Sequence, residues 1–188
     1  MGIEDSISAY ILCGGKSHRM QTDKGLLLYE DKAFVLHVIN AIEPITNQIV
    51  CVTKNDEYKK FGFSIISDIY EAKGPLGGIY TALKHSTTDK NLIISCDVPK
   101  ITSRLLETYL IPNSKSSEIT FLSDGVSDYP LIGMYSKSIV SEIEKAIKNN
   151  HLKLLKLIET LDYKRVIVSE RDKPALLNIN TKADLEKL

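Results

Sequence analysis

Residues 12–25, with the sequence LCGGKSHRMQTDKG, combine two glycines with a high local density of basic side chains. Gly14 and Gly15 lack a Cβ, so their backbone N–H groups can approach an oxyanion closely, as they do in anion-binding turns. Basic side chains follow at Lys16, His18, Arg19 and Lys24, and the acidic residue among them is Asp23. The chain as a whole has 24 basic and 24 acidic residues, so this enrichment is local. The segment predicts a loop that binds a polyphosphate.

Two aspartates could hold a metal ion beside such a loop. Asp97, in the motif SCDVP, and Asp68 each follow directly on a short apolar run that is typical of a buried strand. Magnesium is usually held by one or two carboxylates together with substrate phosphates, so Asp97 is interpreted as the metal ligand and Asp68 as a second carboxylate nearby. The alternative role for Asp97 is a helix N-cap, although Thr102 fits that position better.

The motif GPLGG, at residues 74–78, predicts a glycine-rich loop that opens a helix. A helix N-terminus offers unpaired N–H groups and a partial positive charge to an anion. Many Gly-Pro loops are only turns, and that alternative stays open. Because this loop also follows a predicted strand end, we expect Gly77 and Gly78 to line the same site.

The elements that must position these residues are short strands alternating with helices. The predicted strands are residues 9–13, 49–53, 64–67, 91–95, 119–122, 131–135 and 165–169. The predicted helices are residues 35–42, 56–61, 79–85, 103–110, 138–148 and 152–161, with a final helix from Thr181 to about residue 188. This alternation predicts an α/β fold of three layers with a doubly wound, mostly parallel, Rossmann-like sheet whose ligands lie at the carboxyl ends of the strands. The expected order of the first four strands is 3-2-1-4, which brings Cys13 beside Cys96.

The composition narrows the class of protein. The 188 residues, of which 43% are hydrophobic, predict one globular domain over residues 1–188. A formal net charge of zero argues against nucleic acid or an anionic membrane as a partner. The first residues do not resemble a signal peptide, so a cytoplasmic location is expected. The three cysteines show no CxxC spacing, so a structural zinc site is not expected and the thiols are interpreted as core residues.

Two common phosphate-binding motifs fail to fit. Gly15-Lys16-Ser17 imitates the end of a P-loop, but the pattern GxxxxGK[ST] requires glycine where Tyr10 stands. The GxGxxG pattern of dinucleotide-binding folds is absent as well. These mismatches argue against a Walker-type NTPase.

Five motifs occur in a fixed order along the chain: LCGGKSHRMQTDK, Asp68 after a strand, GPLGG, CDVP and the closing NINTKADL. In this order they resemble the molybdenum cofactor guanylyltransferases, within the wider nucleotidyltransferase superfamily that also activates sugar phosphates. The resemblance covers nearly the whole chain. The closing motif favours the molybdopterin branch over its sugar-phosphate relatives.

This resemblance implies a fold of the nucleotide-diphospho-sugar transferase type and a magnesium-dependent transfer of GMP from GTP to the terminal phosphate of molybdenum-loaded molybdopterin. The implied catalytic residues are Arg19, Lys24 and Asp97, with magnesium on Asp97. The implied nucleotide-binding residues are Leu12, Cys13, Gly14, Gly15, Lys24, Asp68, Gly77, Gly78 and Asp97. The implied acceptor-binding residues are Asp124, Tyr129, Pro130, Asn178 and Asn180. Residues up to about 110 would bind the nucleotide and residues from about 111 the acceptor, and other cofactor-biosynthesis proteins or recipient metalloenzymes are possible partners.

The chain departs from the family pattern at four positions. Gln21 replaces a glycine, Cys13 an alanine and Tyr129 a histidine, and Val52 stands where some members have an asparagine that faces the nucleotide. Two alternatives therefore stay open: a cytidylyl- or sugar-phosphate nucleotidyltransferase, and a nucleotide-binding regulatory module without turnover. Asn178 and Asn180 could also serve only as turn residues.

Overall fold

The computed structural model describes residues 6–13, 23–179 and 184. Its strands are β1 (Ile7–Leu12), β2 (Leu28–Tyr29), β3 (Lys32–Ala33), β4 (Ile49–Val52), β5 (Ser64–Ile66), β6 (Lys90–Ser95), β7 (Ile119–Ser123), β8 (Asp128–Ser136) and β9 (Tyr163–Ile167). Its α-helices are α1 (Phe34–Ile42), α2 (Gly74–His85), α3 (Ser103–Leu105), α4 (Val140–Lys148) and α5 (Leu154–Ile158). All strands except the small β2–β3 hairpin join one seven-stranded sheet.

The strand order is β5-β4-β1-β6-β8-β7-β9. Strands β5, β4, β1 and β6 are parallel and lie in the order 3-2-1-4 predicted for the first four strands. The doubly wound arrangement is therefore confirmed. Leu12, at the end of β1, lies opposite Val52 of β4 on one side and Ser95 of β6 on the other. The carboxyl ends of these strands therefore meet at one edge, where a doubly wound sheet holds its ligands.

The other half of the sheet is mixed. Strand β8 runs antiparallel to both β6 and β7, while β9 is parallel to β7. The pairing of β7 with β8 shifts in register, because Phe121 faces Gly133 while the next residue, Leu122, faces Tyr129. The residues of β8 between these two pairs therefore bulge out of the ladder and change the direction of the strand.

Helices cover both faces of the sheet, as the alternation of side chains along β1 requires. Ile11 packs with α1 and α3 in one apolar cluster, whereas Tyr10 packs with α2 and α4 in the other. Successive side chains of a strand point to opposite faces, so a strand buried on both sides reads as a continuous apolar run. Among the described residues, no helix has the length and apolar composition needed to cross a bilayer.

Several helix boundaries differ from the prediction. Helix α2 begins at Gly74 rather than at residue 79, because Pro75 is compatible with the first helical turn and Gly74 adopts φ +59°. Residues 56–61 form a 3-10 helix that Gly62 ends with φ 80°, and the predicted helix at 152–161 is shortened to α5. Thr102 caps α3 as predicted by accepting a hydrogen bond from the Leu105 backbone N–H, while the final helix from Thr181 lies largely outside the described residues.

The three cysteines are free thiols that meet beneath the carboxyl edge of the sheet. Cys13 and Cys96 directly follow the paired residues Leu12 and Ser95, so they lie on adjacent strands as expected from the strand order. All three side chains are buried in the core cluster with α1. Burial, reinforced by Cys51 and Cys96, raises the pKa of the Cys13 thiol well above its usual value. The three buried thiols therefore act as core residues, and the Cys13 thiol stays protonated.

Candidate active site

Asp97 lies just beyond β6 and is 7% exposed. Its Oδ1 accepts a 2.6 Å hydrogen bond from the Ser95 hydroxyl, and its Oδ2 lies 3.1 Å from the ammonium Nζ of Lys24. The structure thus brings together the predicted metal ligand and the predicted phosphate-binding lysine. The Asp97 carboxylate therefore already contacts one positively charged group, the Lys24 ammonium. A divalent metal bound to Asp97 would share this carboxylate with the lysine.

Lys24 begins a short 3-10 turn that ends at Leu26. Asp23 caps this turn: its Oδ1 accepts from the Gly25 backbone N–H at 3.2 Å and from the Tyr58 hydroxyl at 2.5 Å. Its Oδ2 accepts from Asn55 Nδ2 at 3.2 Å. The sequence interpretation treated Asp23 only as a charge opposing the basic loop, so this hydrogen-bonded network was missed.

Asp68, which follows β5, presents a polar atom that the described residues leave unpaired. Its Oδ1 is buried and has no hydrogen-bond partner in the described part of the chain. Desolvation raises the pKa of the carboxyl, Lys54 opposes this shift and Glu71 adds to it. A buried acceptor without a donor costs free energy, so Asp68 Oδ1 is a candidate for a hydrogen bond from a bound ligand.

Gly77 and Gly78 lie within helix α2 rather than in a loop before it. A Cβ at Gly77 would come 2.7 Å from the carbonyl oxygen of Tyr70, and one at Gly78 would come 3.1 Å from Leu12 and 3.7 Å from Asp68 Oδ1. The glycines thus let α2 approach the strand ends closely. Leu12, Asp68 and Gly78 are brought together as predicted, while a direct nucleotide contact at Gly77 and Gly78 stays a prediction.

A cleft of about 560 Å³ opens on the acceptor side of the same region. Four separate segments line it: Pro75 of α2, residues 128–132 of β8, residues 153–156 around α5, and Asn178. The bulge of β8 puts Tyr129 and Pro130 into its wall. Such a volume is typical of a small-molecule site. Three of the predicted acceptor residues, Tyr129, Pro130 and Asn178, therefore line one cavity.

The bulge is held by a buried tyrosine. Tyr135 is fully buried, and its hydroxyl donates a 2.7 Å hydrogen bond to the carbonyl oxygen of Pro130. Gly133 fits beneath, where a Cβ would lie 3.0 Å from the Thr120 carbonyl oxygen and 3.1 Å from that of Pro130. The wall of the cleft is therefore fixed from within the sheet.

Asp124 has a different environment from the other predicted acceptor residues. It lies in the turn between β7 and β8, where its Oδ1 accepts from the backbone N–H groups of Val126 and Ser127 and its Oδ2 from the Tyr129 hydroxyl. These bonds, led by that from Ser127, lower the pKa of the Asp124 carboxyl. Burial and the Asp124 carboxylate together raise the pKa of Tyr129 to about 12. Asp124 thus orients Tyr129 and does not line the cleft.

Asp97 also contacts the segment that contributes Asn178 to the cleft. The backbone N–H of Ile179 donates a 2.9 Å hydrogen bond to the carbonyl oxygen of Asp97, next to Asn178 in the cleft wall. This contact joins the CDVP motif to the closing NINT motif across the fold. The last two motifs of the predicted set are therefore in direct contact.

Four predicted residues, Gly14, Gly15, Arg19 and Asn180, lie outside the described residues. Cys13 is described, but its side chain faces the core on the side of α1, whereas Leu12 faces Asp68 and α2. Any contact of Cys13 with a nucleotide would therefore come from its backbone.

The donor set fits magnesium better than a metal that requires a full protein cage. Within the described ranges, no group of three or more His, Cys, Asp or Glu side chains is placed to hold a metal ion. Magnesium keeps several waters and is usually bound by one or two carboxylates plus substrate phosphates, so Asp97 alone is compatible with it.

Sequence reasoning missed several polar residues of the site. Ser95 donates a hydrogen bond to Asp97, the charge of Lys54 acts on the carboxyl of Asp68, and Lys153 and Lys156 line the cleft. Ser95 could have been found, because a residue at the carboxyl end of a central strand points into the crevice. The two cleft lysines carry no local signal, since only the tertiary fold brings them to Asn178.

Comparison with known proteins agrees with this geometry. The profile of the MobA-like NTP transferase domain matches residues 9–166. A probable molybdenum cofactor guanylyltransferase of Flavobacterium johnsoniae is 42% identical, and the match covers 98% of this chain and 97% of that protein. The molybdenum cofactor guanylyltransferase of Vibrio parahaemolyticus is 30% identical, with 93% and 91% covered.

Solved structures show the same fold. Molybdopterin-guanine dinucleotide biosynthesis protein A from Archaeoglobus fulgidus superposes with a TM-score of 0.80 at 23% identity, covering 96% of this chain and 95% of that one. The predicted fold class, that of the nucleotidyltransferases, is confirmed. With the profile and the relatives matching over most of its length, this chain belongs to the molybdenum cofactor guanylyltransferase family of MobA-like NTP transferases.

Proposed function

We propose that this nucleotidyltransferase transfers GMP from GTP to the terminal phosphate of molybdenum-loaded molybdopterin and releases pyrophosphate. The observation that carries this proposal is the meeting of two sites at Asp97: Lys24 lies at its carboxylate, and Ile179, beside the cleft, is bonded to its backbone. A nucleotide bound on one side and an acceptor bound on the other would have their reacting phosphates at this residue. The names of the full-length relatives favour guanylyl transfer over the cytidylyl and sugar-phosphate alternatives.

On the nucleotide side, we assign the phosphates to Lys24 and to the loop with Gly14, Gly15 and Arg19. Asp68 provides the unpaired acceptor Oδ1, which suits an N–H or O–H donor of the nucleoside rather than a phosphate. Its position beside Leu12 and Gly78 places that acceptor next to the close approach of α2 to the sheet. Asp97 would hold magnesium, which when bound neutralises phosphate charge and polarises the α-phosphorus.

On the acceptor side, we assign the molybdopterin to the cleft, with Tyr129, Pro130 and Asn178 in its wall. Lys153 gives this cleft a positively charged side chain, which suits an acceptor that carries a phosphate. The other charged lining residues are paired, Lys156 with Glu159 and Asp128 with Arg165. Asp124 contributes by orienting Tyr129, and a contact of Asn180 with the acceptor stays part of the proposal. The division near residue 110 into a nucleotide part and an acceptor part stays part of the proposal, although Pro75, which precedes it, also lines the cleft.

The reaction needs little proton transfer from the protein. The terminal phosphate of the acceptor is an anion at neutral pH, so it attacks the α-phosphorus without a general base, and the bond from that phosphorus to the bridging oxygen of pyrophosphate breaks. Catalysis then rests on alignment and on charge stabilisation. We assign the stabilisation of the leaving pyrophosphate to Lys24 and Arg19.

The proposal is tested by pyrophosphate release with each of the four nucleoside triphosphates, with and without molybdenum-loaded molybdopterin. We expect release with GTP that requires both the acceptor and magnesium, and none in a matched reaction with calcium. Release with CTP in preference to GTP would contradict the guanylyl assignment. GTP binding without release under any condition would instead support a regulatory module. A cytoplasmic location and partner proteins that supply or receive the cofactor stay predictions.

A further inference from the structure

The DKG triplet at residues 23–25 contains one residue, Lys24, that the proposed function uses directly. Its neighbours Asp23 and Gly25 are not explained by phosphate binding, yet both make close contacts with a single buried side chain, Tyr58. A Cβ at Gly25 would lie 2.2 Å from the Tyr58 hydroxyl oxygen. Tyr58 itself is 1% exposed, and Asp23 accepts the hydrogen bond of its hydroxyl at 2.5 Å.

We propose that Tyr58, together with Asn55, is a positioning residue for Lys24 and acts through the carboxylate of Asp23. This inference rests on the proposed function, since it assumes that Lys24 binds the GTP phosphates. Tyr58 and Asn55 belong to the segment after β4, whereas Lys24 follows the loop after β1. The carboxylate of Asp23 thus connects two neighbouring strand ends of the sheet.

The charge of Asp23 explains why its donors matter. A free carboxylate next to Lys24 in the chain would compete for the lysine ammonium. The ammonium would then no longer be available to Asp97 and to phosphate. In the structure, Tyr58 and the Gly25 backbone N–H occupy Asp23 Oδ1, and Asn55 occupies Oδ2. The ammonium of Lys24 lies instead 3.1 Å from Asp97. The 3-10 turn that begins at Lys24 and the orientation of the Lys24 side chain towards Asp97 therefore both depend on these donors.

The buried tyrosine is suited to this task. Burial is the largest of the causes that raise the pKa of Tyr58 far above its usual value, with neighbouring Cys13, Cys96 and Asp23 adding to it. The hydroxyl therefore stays protonated and remains a donor to Asp23 at any physiological pH. Because Gly25 has no side chain, the turn can sit directly on the phenol ring.

A double-mutant cycle on GTP affinity tests the inference without using the acceptor. Tyr58→Phe removes one hydrogen bond to a charged group, and we expect the Kd for GTP, measured by titration calorimetry, to rise about tenfold. In a Lys24→Met background the same change should alter the Kd by less than about twofold, because the lysine that Tyr58 positions is gone. Tyr10→Phe is the matched control, since Tyr10 is 1% exposed and its hydroxyl bonds to His85 Nδ1 at 3.0 Å, away from Asp23.

The outcomes separate this inference from the proposed function. Absence of GTP binding in the unchanged protein would refute the function itself. GTP binding with an unchanged Kd in Tyr58→Phe, or an equal loss in both backgrounds, would refute the positioning role. If Tyr58→Phe does not fold, as judged by thermal unfolding, Asn55→Ala takes its place in the cycle. A rise of about threefold that vanishes with Lys24→Met then supports the inference, and an equal effect in both backgrounds overturns it.

Discussion

The two sides of the site are built in different ways. The nucleotide side lies at the ends of four parallel strands, and each of its carboxylates directly follows a strand: Asp68 after β5 and Asp97 after β6. The acceptor side is a cleft formed by a bulged strand, a short helix and two distant residues, Pro75 and Asn178. Residues that follow parallel strands converge because of the fold class alone. Residues around a bulge converge only through the detailed packing of one chain.

The largest effect is expected where the two sides meet. Asp97→Asn keeps the size of the side chain but removes the charge that would hold magnesium at the phosphates. We expect kcat to fall by at least about a hundredfold while the thermal midpoint stays near that of the unchanged protein. A folded Asp97→Asn enzyme that retains its rate would remove Asp97 from the reaction, and with it the idea that both sides share this residue.

The next effect tests the nucleotide side alone. Lys24→Met should lower kcat/KM for GTP by about a hundredfold, since loss of one donor to developing charge costs about 10²- to 10³-fold. The KM for the acceptor should change little, because Lys24 lies at Asp97 and does not line the cleft. Steady-state kinetics with each substrate varied in turn makes the comparison. If Lys24→Met changed the KM for the acceptor more than the KM for GTP, the assignment of Lys24 to the nucleotide side and of the cleft to the acceptor would be reversed.

A smaller and opposite pattern is expected on the acceptor side. Lys153→Ala removes an exposed cation from the cleft wall, so the KM for the acceptor should rise about threefold to tenfold with the KM for GTP unchanged. Lys145→Ala is the matched control, since Lys145 is equally exposed on α4 and is not part of the cleft. Equal effects of the two substitutions would show that only the general charge of the surface matters.

The smallest effect on rate should accompany a gain in stability. Asp68→Asn is expected to weaken GTP binding a few-fold, because an amide oxygen still accepts a hydrogen bond. It should also stabilise the fold by about 1 kcal/mol at neutral pH, since a buried ionised acceptor without a partner is costly. The pKa of Asp68 is raised in the folded state, so its ionisation costs stability once the pH exceeds the unfolded value. The gain should therefore grow as the pH rises through the raised pKa and vanish below the usual carboxyl range, as urea unfolding at several pH values would show.

The contrast between residues that follow parallel strands and residues around a bulge also explains which features the sequence could predict. The order of strands β5, β4, β1 and β6 and the approach of Leu12 and Asp68 to Gly78 follow from periodicity and from the rule for parallel sheets, and the structure has them so. That Asp68 acts together with Asp97 stays a prediction. The predicted start of α2 at residue 79 was wrong. In the sequence, the glycines before residue 79 resemble a loop, and only the structure shows their close contact with Tyr70 inside the helix. The roles of Tyr58 and Lys153 depend on contacts between residues far apart in the chain. No local pattern encodes such contacts.

The hydrogen bond from Ile179 to Asp97 sets an order of events during synthesis. Residues 7–95, which contain β1 to β6, leave the ribosome well before Ile179 is made. Because a domain generally folds as one unit, these strands are completed only when the segment that anchors Asn178 beside Asp97 has been synthesised. The cleft therefore acquires its last wall late.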